Sequence, residues 1–246
     1  MSGTFTASRV TDVHQMRQSC EVLGVEHMFD ERRSIARVTA AFQGSLLGLG
    51  DDVRVGRLGA SVERTVLSRG AWVDLRCGWI AGADALFDRL LRDVPWHAEQ
   101  RRMYERVVAV PRLLSFFDED DALPDPVLDE AKRALDAHYA DELGELFRTA
   151  GLCLYRDGAD SVAWHGDRIG RGATHDTMVA IVSLGAPRAL RLRPRGGGSA
   201  LRFDLGHGDL LVMGGSCQRT WEHAIPKTAR AVGPRISVQF RPRGVR

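Results

Sequence analysis

The sequence predicts an α+β fold in which helices pack against a β-sandwich or barrel. The strongest helical periodicity, over Pro126–Arg148, is followed from Gly151 onward by short apolar segments that glycine-rich turns separate. Several short strands at this spacing are typical of antiparallel sandwiches and barrels. The expected strands are Ala180–Leu184, Ala189–Arg193, Leu201–Leu205, Leu210–Met213 and Ile236–Phe240.

Two helices are expected before these strands. Within Gly82–Asp93, four apolar side chains fall on one helical face. Within Pro126–Arg148, apolar residues recur at steps of three and four. Asp125 is placed to cap the first turn of this second helix, and Gly151 lies just beyond its expected end.

The composition is that of an ordinary globular protein. The chain has 246 residues, of which 44% are hydrophobic and 27% charged, so wholesale disorder is excluded. No apolar run approaches the roughly 18–20 residues that a membrane span needs. The segment 1–40 also lacks the apolar core of a secretory signal. We therefore expect a cytoplasmic protein with no membrane partner.

Charge is unevenly distributed along the chain, although the net charge is only +2. Residues 1–150 carry 19 basic and 25 acidic side chains, whereas residues 151–246 carry 15 basic and 7 acidic ones. Of the 34 basic residues, only Lys132 and Lys227 are lysine. The arginine excess fits a GC-rich coding sequence. It also fits a C-terminal half that faces phosphates or carboxylates, whose geometry matches the guanidinium fork.

The sequence His165-Gly166-Asp167 can supply two ligands of an iron site. In an extended strand, residues i and i+2 share a face, so the imidazole and the carboxylate converge. Together they make two-thirds of the 2-His-1-carboxylate arrangement, which leaves positions open on Fe(II). A second stretch, His207-Gly208-Asp209, has the same three letters.

The number of residues between each stretch and His223 distinguishes the two stretches. A third ligand must come from a later strand, and the interval from Asp167 to His223 is long enough for several strands. The interval from Asp209 to His223 is much shorter and allows barely one hairpin. We therefore predict a metal site of His165, Asp167 and His223, and interpret the second stretch as a turn.

Residues 235–241 alternate strictly between polar and apolar side chains. The polar face consists of Arg235, Ser237, Gln239 and Arg241. Taken alone, the pattern fits an edge strand with one solvated face. Because the segment begins shortly after His223, its two guanidinium groups could instead hold a dicarboxylate near the metal.

Five stretches in this order carry a resemblance to a known family. They are LYRDG…WHGD (154–167), VSLG (182–185), GDLLVM (208–213), HAIP (223–226) and RISVQFR (235–241). The chain resembles the AlkB family, Fe(II)- and 2-oxoglutarate-dependent dioxygenases that remove alkyl groups from nucleic-acid bases. The resemblance extends over residues 42–246. It implies a double-stranded β-helix, or jelly roll, with flanking N-terminal helices.

The resemblance also implies roles for individual residues. His165, Asp167 and His223 would bind Fe(II), and no catalytic residue separate from this metal centre is expected. The residues expected to bind 2-oxoglutarate are Tyr155, Arg235, Ser237 and Arg241. Arg235 would pair with the far carboxylate of 2-oxoglutarate, and Arg241 would lie near its C1 carboxylate. Cys153 and Ser237 depart from the family, which often has asparagine at both positions.

The chain is expected to divide into three parts. Residues 1–40 carry weak periodicity and no strong strand, so they would be a poorly ordered N-terminal extension. The resemblance implies that residues 41–150 are a substrate-recognition arm with supporting helices and that residues 151–246 are the dioxygenase core. The candidate substrate-binding residues are Tyr104, Arg112, Phe116 and Phe117. Either phenylalanine could hold a base that has left the stack. The alternative is that both are core aromatics.

The implied function is repair of alkylation damage. Oxidative demethylation of alkylated DNA bases would consume 2-oxoglutarate and O₂ and release formaldehyde, succinate and CO₂. The expected partner is alkylated DNA, and the expected state is a monomer. Two alternatives stay open: the same chemistry on RNA, a protein or a small molecule, and an inactive nucleic-acid-binding module. A binding module would not need the metal ligands and both arginines.

Overall fold

The computed structural model describes residues 52–103 and 106–245, and within this range the side chains of 101–103 and 106–108 are not described. The predicted N-terminal extension, residues 1–40, and the candidate substrate residue Tyr104 lie outside the described residues. No helix in the described part of the chain is long and apolar enough to cross a membrane.

Strands dominate the described residues. The first half contains β1 (Arg54–Val55), β2 (Glu63–Val66), β3 (Ala71–Arg76), β4 (Ile80–Ala81), α1 (Ala83–Asp93), β5 (His97–Met103), β6 (Arg106–Phe117) and α2 (Pro126–Leu143). The second half contains β7 (Phe147–Tyr155), β8 (Val162–His165), β9 (Val179–Gly185), β10 (Arg188–Pro194), β11 (Leu201–Leu205), β12 (Asp209–Gly215), α3 (Cys217–Thr220), β13 (Trp221–Ile225) and β14 (Arg235–Pro242).

Two antiparallel sheets built from these strands form a jelly roll. The major sheet has the order β2-β3-β12-β9-β14-β7-β6-β5, and the minor sheet has the order β11-β10-β13-β8. Strands β7 to β14 contribute four strands to each sheet. The predicted α+β fold with a jelly-roll core is therefore confirmed. Strands β1 and β4 pair with each other separately.

Two apolar clusters hold the layers together. One cluster joins inward side chains of both sheets, such as Ile181 of β9 and Leu192 of β10. The other packs the opposite face of the major sheet, including Val182, against Leu86 of α1 and Leu135 of α2. Ile181 and Val182, which are adjacent in β9, thus pack in different clusters, because successive side chains of a strand point to opposite faces of the sheet. The helices cover one face of the major sheet and leave the other face to the cavity between the sheets.

Helix α2 begins as predicted but ends earlier. The side chain of Asp125 accepts a hydrogen bond from the backbone N–H two residues later, at 3.0 Å. The helix ends at Leu143, because Gly144 takes the left-handed conformation with φ 68°. The expectation that it continues to Arg148 is wrong, since Phe147 already begins strand β7.

The five predicted strands are confirmed to within two residues at each end. Sequence reasoning did not predict strand β7 or the antiparallel pair β5–β6. The strand carrying Arg235 and Arg241 is not an edge strand: β14 lies between β9 and β7. Its polar face therefore points into the space between the sheets rather than into bulk solvent.

Candidate active site

Three predicted metal ligands meet between two neighbouring strands of the minor sheet. His165 at the end of β8 lies directly opposite His223 of β13. Their ring centroids are 4.2 Å apart. Asp167 follows two residues after His165, and one ligand atom from each of the three residues lies within 4.8 Å of the others. Distant parts of the sequence thus converge on one point.

Local contacts orient these ligands. The Nδ1 atom of His165 lies 2.9 Å from the carbonyl oxygen of Ala163, so Nδ1–H donates there and Nε2 is left for a metal. The backbone N–H of Asp167 donates to Oε1 of Gln218 in α3, at 2.9 Å. Between them, a β-carbon at Gly166 would lie only 2.6 Å from the carbonyl oxygen of Gln218. The turn between the two ligands therefore requires glycine.

The electrostatics of the cluster favour metal binding. Burial by itself would raise the pKa of Asp167, which is 4% exposed, but the charge of Arg241, together with the neighbouring His223 and His165 side chains, outweighs burial and lowers it to about 2. Burial, aided by the charge of His165, lowers the pKa of His223 to about 3. An ionised carboxylate and neutral imidazoles are the forms that bind metals. This donor set fits Fe(II).

The second His-Gly-Asp stretch lies elsewhere and serves the fold. The Nδ1 atom of His207 accepts a hydrogen bond from the backbone N–H of Gly185 at 2.6 Å, and its Nε2 lies 3.2 Å from Asp84 of α1. Asp209 accepts hydrogen bonds from two backbone N–H groups at 2.7 Å each. The structure thus places this stretch in a turn, as its sequence context predicts.

A cavity of about 750 Å³ opens beside the metal ligands. Its lining includes all three ligands and the four polar residues of β14. On the major sheet, the lining residues fall into rows of cross-strand neighbours. The rows are Arg235 with Tyr155, Ser237 with Cys153, and Gln239 with Gly151 and Phe116. The predicted cosubstrate residues and one predicted substrate residue therefore share a single wall.

Arg235 is the most informative residue of this wall. It is 1% exposed, and its Nε donates to Oγ of Ser183 at 2.9 Å. Its Nη1 and Nη2 are buried and make no well-formed hydrogen bond to any described residue, although Tyr155 lies alongside. A buried charged donor without a partner is costly. A ligand carboxylate would satisfy both nitrogens, so Arg235 fits the far carboxylate of 2-oxoglutarate.

The remaining polar residues of the wall form a connected network. Gln239 donates from Nε2 to Oγ of Ser237 at 3.0 Å and to Sγ of Cys153 at 3.3 Å. Its Oε1 accepts from Nη2 of Arg241 at 2.8 Å. Sequence reasoning placed Gln239 on the polar face but gave it no role. Tyr155 is buried, which raises its pKa to about 12, so its hydroxyl stays protonated.

The two phenylalanines predicted as base platforms lie on opposite faces of β6. Phe116 is 45% exposed and lines the cavity, whereas Phe117 packs against the core under α1 and α2 and is absent from the lining. Arg112 also lines the cavity, where its Nη1 donates to the Ser161 carbonyl oxygen at 3.2 Å. Sequence reasoning did not single out Ile169, an exposed apolar residue of the lining.

The comparisons with known proteins agree with the fold and the site. The model of the 2OG-Fe(II) oxygenase superfamily matches residues 118–241. The chain is 30% identical over 199 residues to alpha-ketoglutarate-dependent dioxygenase alkB homolog 3 of Bos taurus, covering 73% of this chain and 66% of that protein. It is 30% identical over 198 residues to DNA oxidative demethylase ALKBH2 of Arabidopsis thaliana, covering 63% of this chain and 60% of that protein.

The solved structure of OsALKBH1 has the same fold. The two structures superpose with a TM-score of 0.51 at 15% identity, covering 72% of this chain and 100% of that chain. The chain belongs to the 2OG-Fe(II) oxygenase superfamily and, within it, to the AlkB family. It spans 66% of the length of the Bos taurus protein and 60% of the length of the Arabidopsis thaliana protein. Membership implies Fe(II), 2-oxoglutarate and O₂, and the His-Asp-His cluster fits the metal.

Proposed function

We propose that this protein is an Fe(II)- and 2-oxoglutarate-dependent dioxygenase that oxidatively demethylates alkylated bases in DNA. The observation that carries the proposal is the buried guanidinium of Arg235, whose Nη atoms lack a hydrogen-bond partner among the described residues. This group lines the same cavity as His165, Asp167 and His223. One cavity thus offers a metal site and a partner for a distant carboxylate. A dicarboxylate 2-oxoacid that also binds metal meets both requirements.

The chain's residues perform binding and orientation. When bound, Fe(II), O₂ and 2-oxoglutarate together supply oxidation of an N-methyl carbon, with succinate, CO₂ and formaldehyde as products. His165, Asp167 and His223 would hold the metal from one side and leave its other positions open. Arg235 would fix the far carboxylate, with the protonated Tyr155 beside it. No side chain needs to remove a proton from the substrate.

The proposed substrate is a base that has left the stack. Phe116 presents an exposed aromatic ring in the cavity, in the same register row as Gln239. An aromatic face of this kind can stack on a flipped base. The basic balance of residues 151–246 favours a polyanionic partner. We include alkylated DNA, a monomeric state and a cytoplasmic location in the proposal.

Paired product measurements test this function. Single-stranded DNA carrying an N-methylated base is incubated with Fe(II), with and without 2-oxoglutarate, and formaldehyde and succinate are followed together. We expect formaldehyde only when 2-oxoglutarate is present, and at least one succinate for each formaldehyde formed. If RNA with the same methylated base is demethylated and the DNA is not, the substrate is RNA rather than DNA. Absence of both 2-oxoglutarate binding and turnover would support the inactive binding module.

A further inference from the structure

Three arginines of the described residues surround the buried Tyr155. The guanidinium carbons of Arg235 and Arg188 lie 5.3 Å and 5.6 Å from the centre of its ring. The pairing of β6 with β7 begins with Leu113 opposite Leu154, so Arg112 lies just beyond it at the level of Tyr155, and the charge of Arg112 acts on the pKa of Tyr155. Both Arg112 and Tyr155 line the cavity, so they lie on the same face of the sheet.

These three guanidinium groups differ in how fully they are bonded. Arg188 donates three hydrogen bonds of 2.8 Å to backbone carbonyl oxygens and does not line the cavity, so its role is to hold loops in place. Arg112 donates to one carbonyl oxygen and contacts the Cys153 side chain, while its buried Nε has no hydrogen-bond partner among the described residues. Arg112 and Arg235 therefore both line the cavity and both carry buried donors without a hydrogen-bond partner among the described residues.

Few of the described acidic residues line the cavity. Within the described part of the chain, the lining contains two of them, Asp167 and Glu99. Asp167 accepts a hydrogen bond from Arg241. Glu99 is exposed on β5, the strand that pairs with β6, and its charge is the smallest of the named influences on the pKa of Arg112. The surroundings of Tyr155 therefore hold an excess of positive charge, which favours an anionic ligand there.

We propose that Arg112 binds the cosubstrate, sharing the far carboxylate of 2-oxoglutarate with Arg235. This inference rests on the proposed function and revises the sequence-based prediction that Arg112 contacts nucleic acid. A carboxylate has about four acceptor sites, enough for donors from two guanidinium groups. It also gives a reason for Cys153, which stands where the family often has asparagine: the charged donor of Arg112 reaches the same place.

Binding of 2-oxoglutarate, measured apart from catalysis, tests the inference. Each protein is loaded with Mn(II), which does not support turnover, and titrated with 2-oxoglutarate in a calorimeter. Arg112→Met should weaken binding about 10- to 100-fold, the range of a charged hydrogen bond. Arg112→Lys should recover part of the loss, because the charge is kept. Arg191→Met, which removes an exposed arginine of β10, is the matched control and should bind like the parent.

Two further readouts separate the alternatives. Mn(II) affinity, and the salt dependence of single-stranded DNA affinity, should be unchanged in Arg112→Met. Unchanged 2-oxoglutarate binding would overturn the inference, and a DNA salt slope reduced by about 0.7 would make Arg112 a phosphate contact instead. Parallel loss of Mn(II) and 2-oxoglutarate binding would show a structural role and also overturn it. If the parent itself fails to bind 2-oxoglutarate, the proposed function fails before any variant is compared.

Discussion

The Nε atom of Arg241 donates a hydrogen bond to Oδ2 of Asp167 at 2.6 Å. This contact ties the last strand of the jelly roll to a metal ligand that comes from a loop much earlier in the chain. The same guanidinium reaches Gln239, and Gln239 in turn reaches Cys153 and Ser237. A continuous polar network therefore joins the metal ligands to the wall of the cosubstrate site.

Replacing Arg241 should make metal binding more sensitive to acid. In the parent, Arg241 is the strongest influence that lowers the pKa of Asp167 against burial. In Arg241→Met the pKa should rise, so protons compete with the metal at mildly acidic pH. Mn(II) affinity at pH 7 and pH 5 measures this effect, with the exposed Arg243→Met as control. An identical ratio of affinities in Arg241→Met and the parent would contradict the prediction.

The metal-free protein should lose stability as the pH falls below about 6.5. Burial, with the charge of His165, lowers the pKa of His223 to about 3, so only the unfolded chain takes up a proton at this position between pH 6.5 and 3. Stability from this group is therefore present above the unfolded pKa and lost on acidification. Urea unfolding in chelator should show a loss of roughly 1 kcal/mol from pH 7 to 5.5.

Variants isolate the contribution of His223 to this loss. His223→Gln should flatten the pH dependence, because glutamine does not titrate. His175→Gln, at an exposed histidine, should leave it as in the parent. Equal slopes in all three proteins would show that His223 is not the group responsible.

The two His-Gly-Asp stretches should respond differently to mutation. His165→Ala, Asp167→Ala and His223→Ala should each abolish 2-oxoglutarate turnover, since each removes a metal ligand. His207→Ala should keep most of the turnover, because His207 contacts Gly185 and Asp84 rather than the metal cluster. Succinate formation and Mn(II) affinity measure the difference, with circular dichroism to check folding. A folded His207→Ala protein without turnover would refute the assignment.

Arg235→Met should raise the 2-oxoglutarate requirement strongly. The variant removes the charged partner proposed for the far carboxylate, a loss of about 1.5–3 kcal/mol. Half-saturation of succinate formation gives the size of the effect, and Mn(II) affinity should not change. The matched control is Arg202→Met on β11, where the guanidinium is exposed and pairs with Asp204. An unaltered requirement for 2-oxoglutarate would show that the cosubstrate lies elsewhere.

Phe116→Ala and Phe117→Ala form a matched pair. Phe116→Ala should lower demethylation of methylated DNA by about 1–3 kcal/mol of substrate binding or positioning, while succinate formation without DNA persists. Phe117→Ala should instead lower the free energy of unfolding, since its side chain packs in the core cluster. Formaldehyde, succinate and urea unfolding are measured on both. Parent-like demethylation by Phe116→Ala would move the base platform to another residue.

Residues with strong local signals were predictable from the sequence. The strict alternation of residues 235–241 indicated strand β14, and the spacing from Asp167 to His223 indicated the metal site. Helix α2 was predicted too long, because its apolar period continues smoothly past Gly144 into the buried start of β7. Apolar periodicity does not show where a helix ends when a buried strand follows it. Here the end is set by the left-handed conformation of a glycine.

Features that depend on register were not predictable. Phe116 and Phe117 are equally apolar, and only the pairing of β6 with β7 decides which one enters the cavity. The position of Arg112 was not predictable either, because nothing in the sequence distinguishes this arginine from one on the protein surface. Its position near Tyr155 follows from the pairing of two strands that helix α2 separates in the chain, and no local pattern encodes such a pairing.

The metal ligands and the proposed base platform lie on different strands of the cavity wall. The metal ligands come from β8, β13 and the loop after β8, whereas Phe116 lies on β6, which pairs with the edge strand β5. Changes on this hairpin can reshape the space for a base without disturbing any metal ligand. With this arrangement, a few substitutions at one edge of the sheet can change the substrate preference during evolution. The metal ligands need not change.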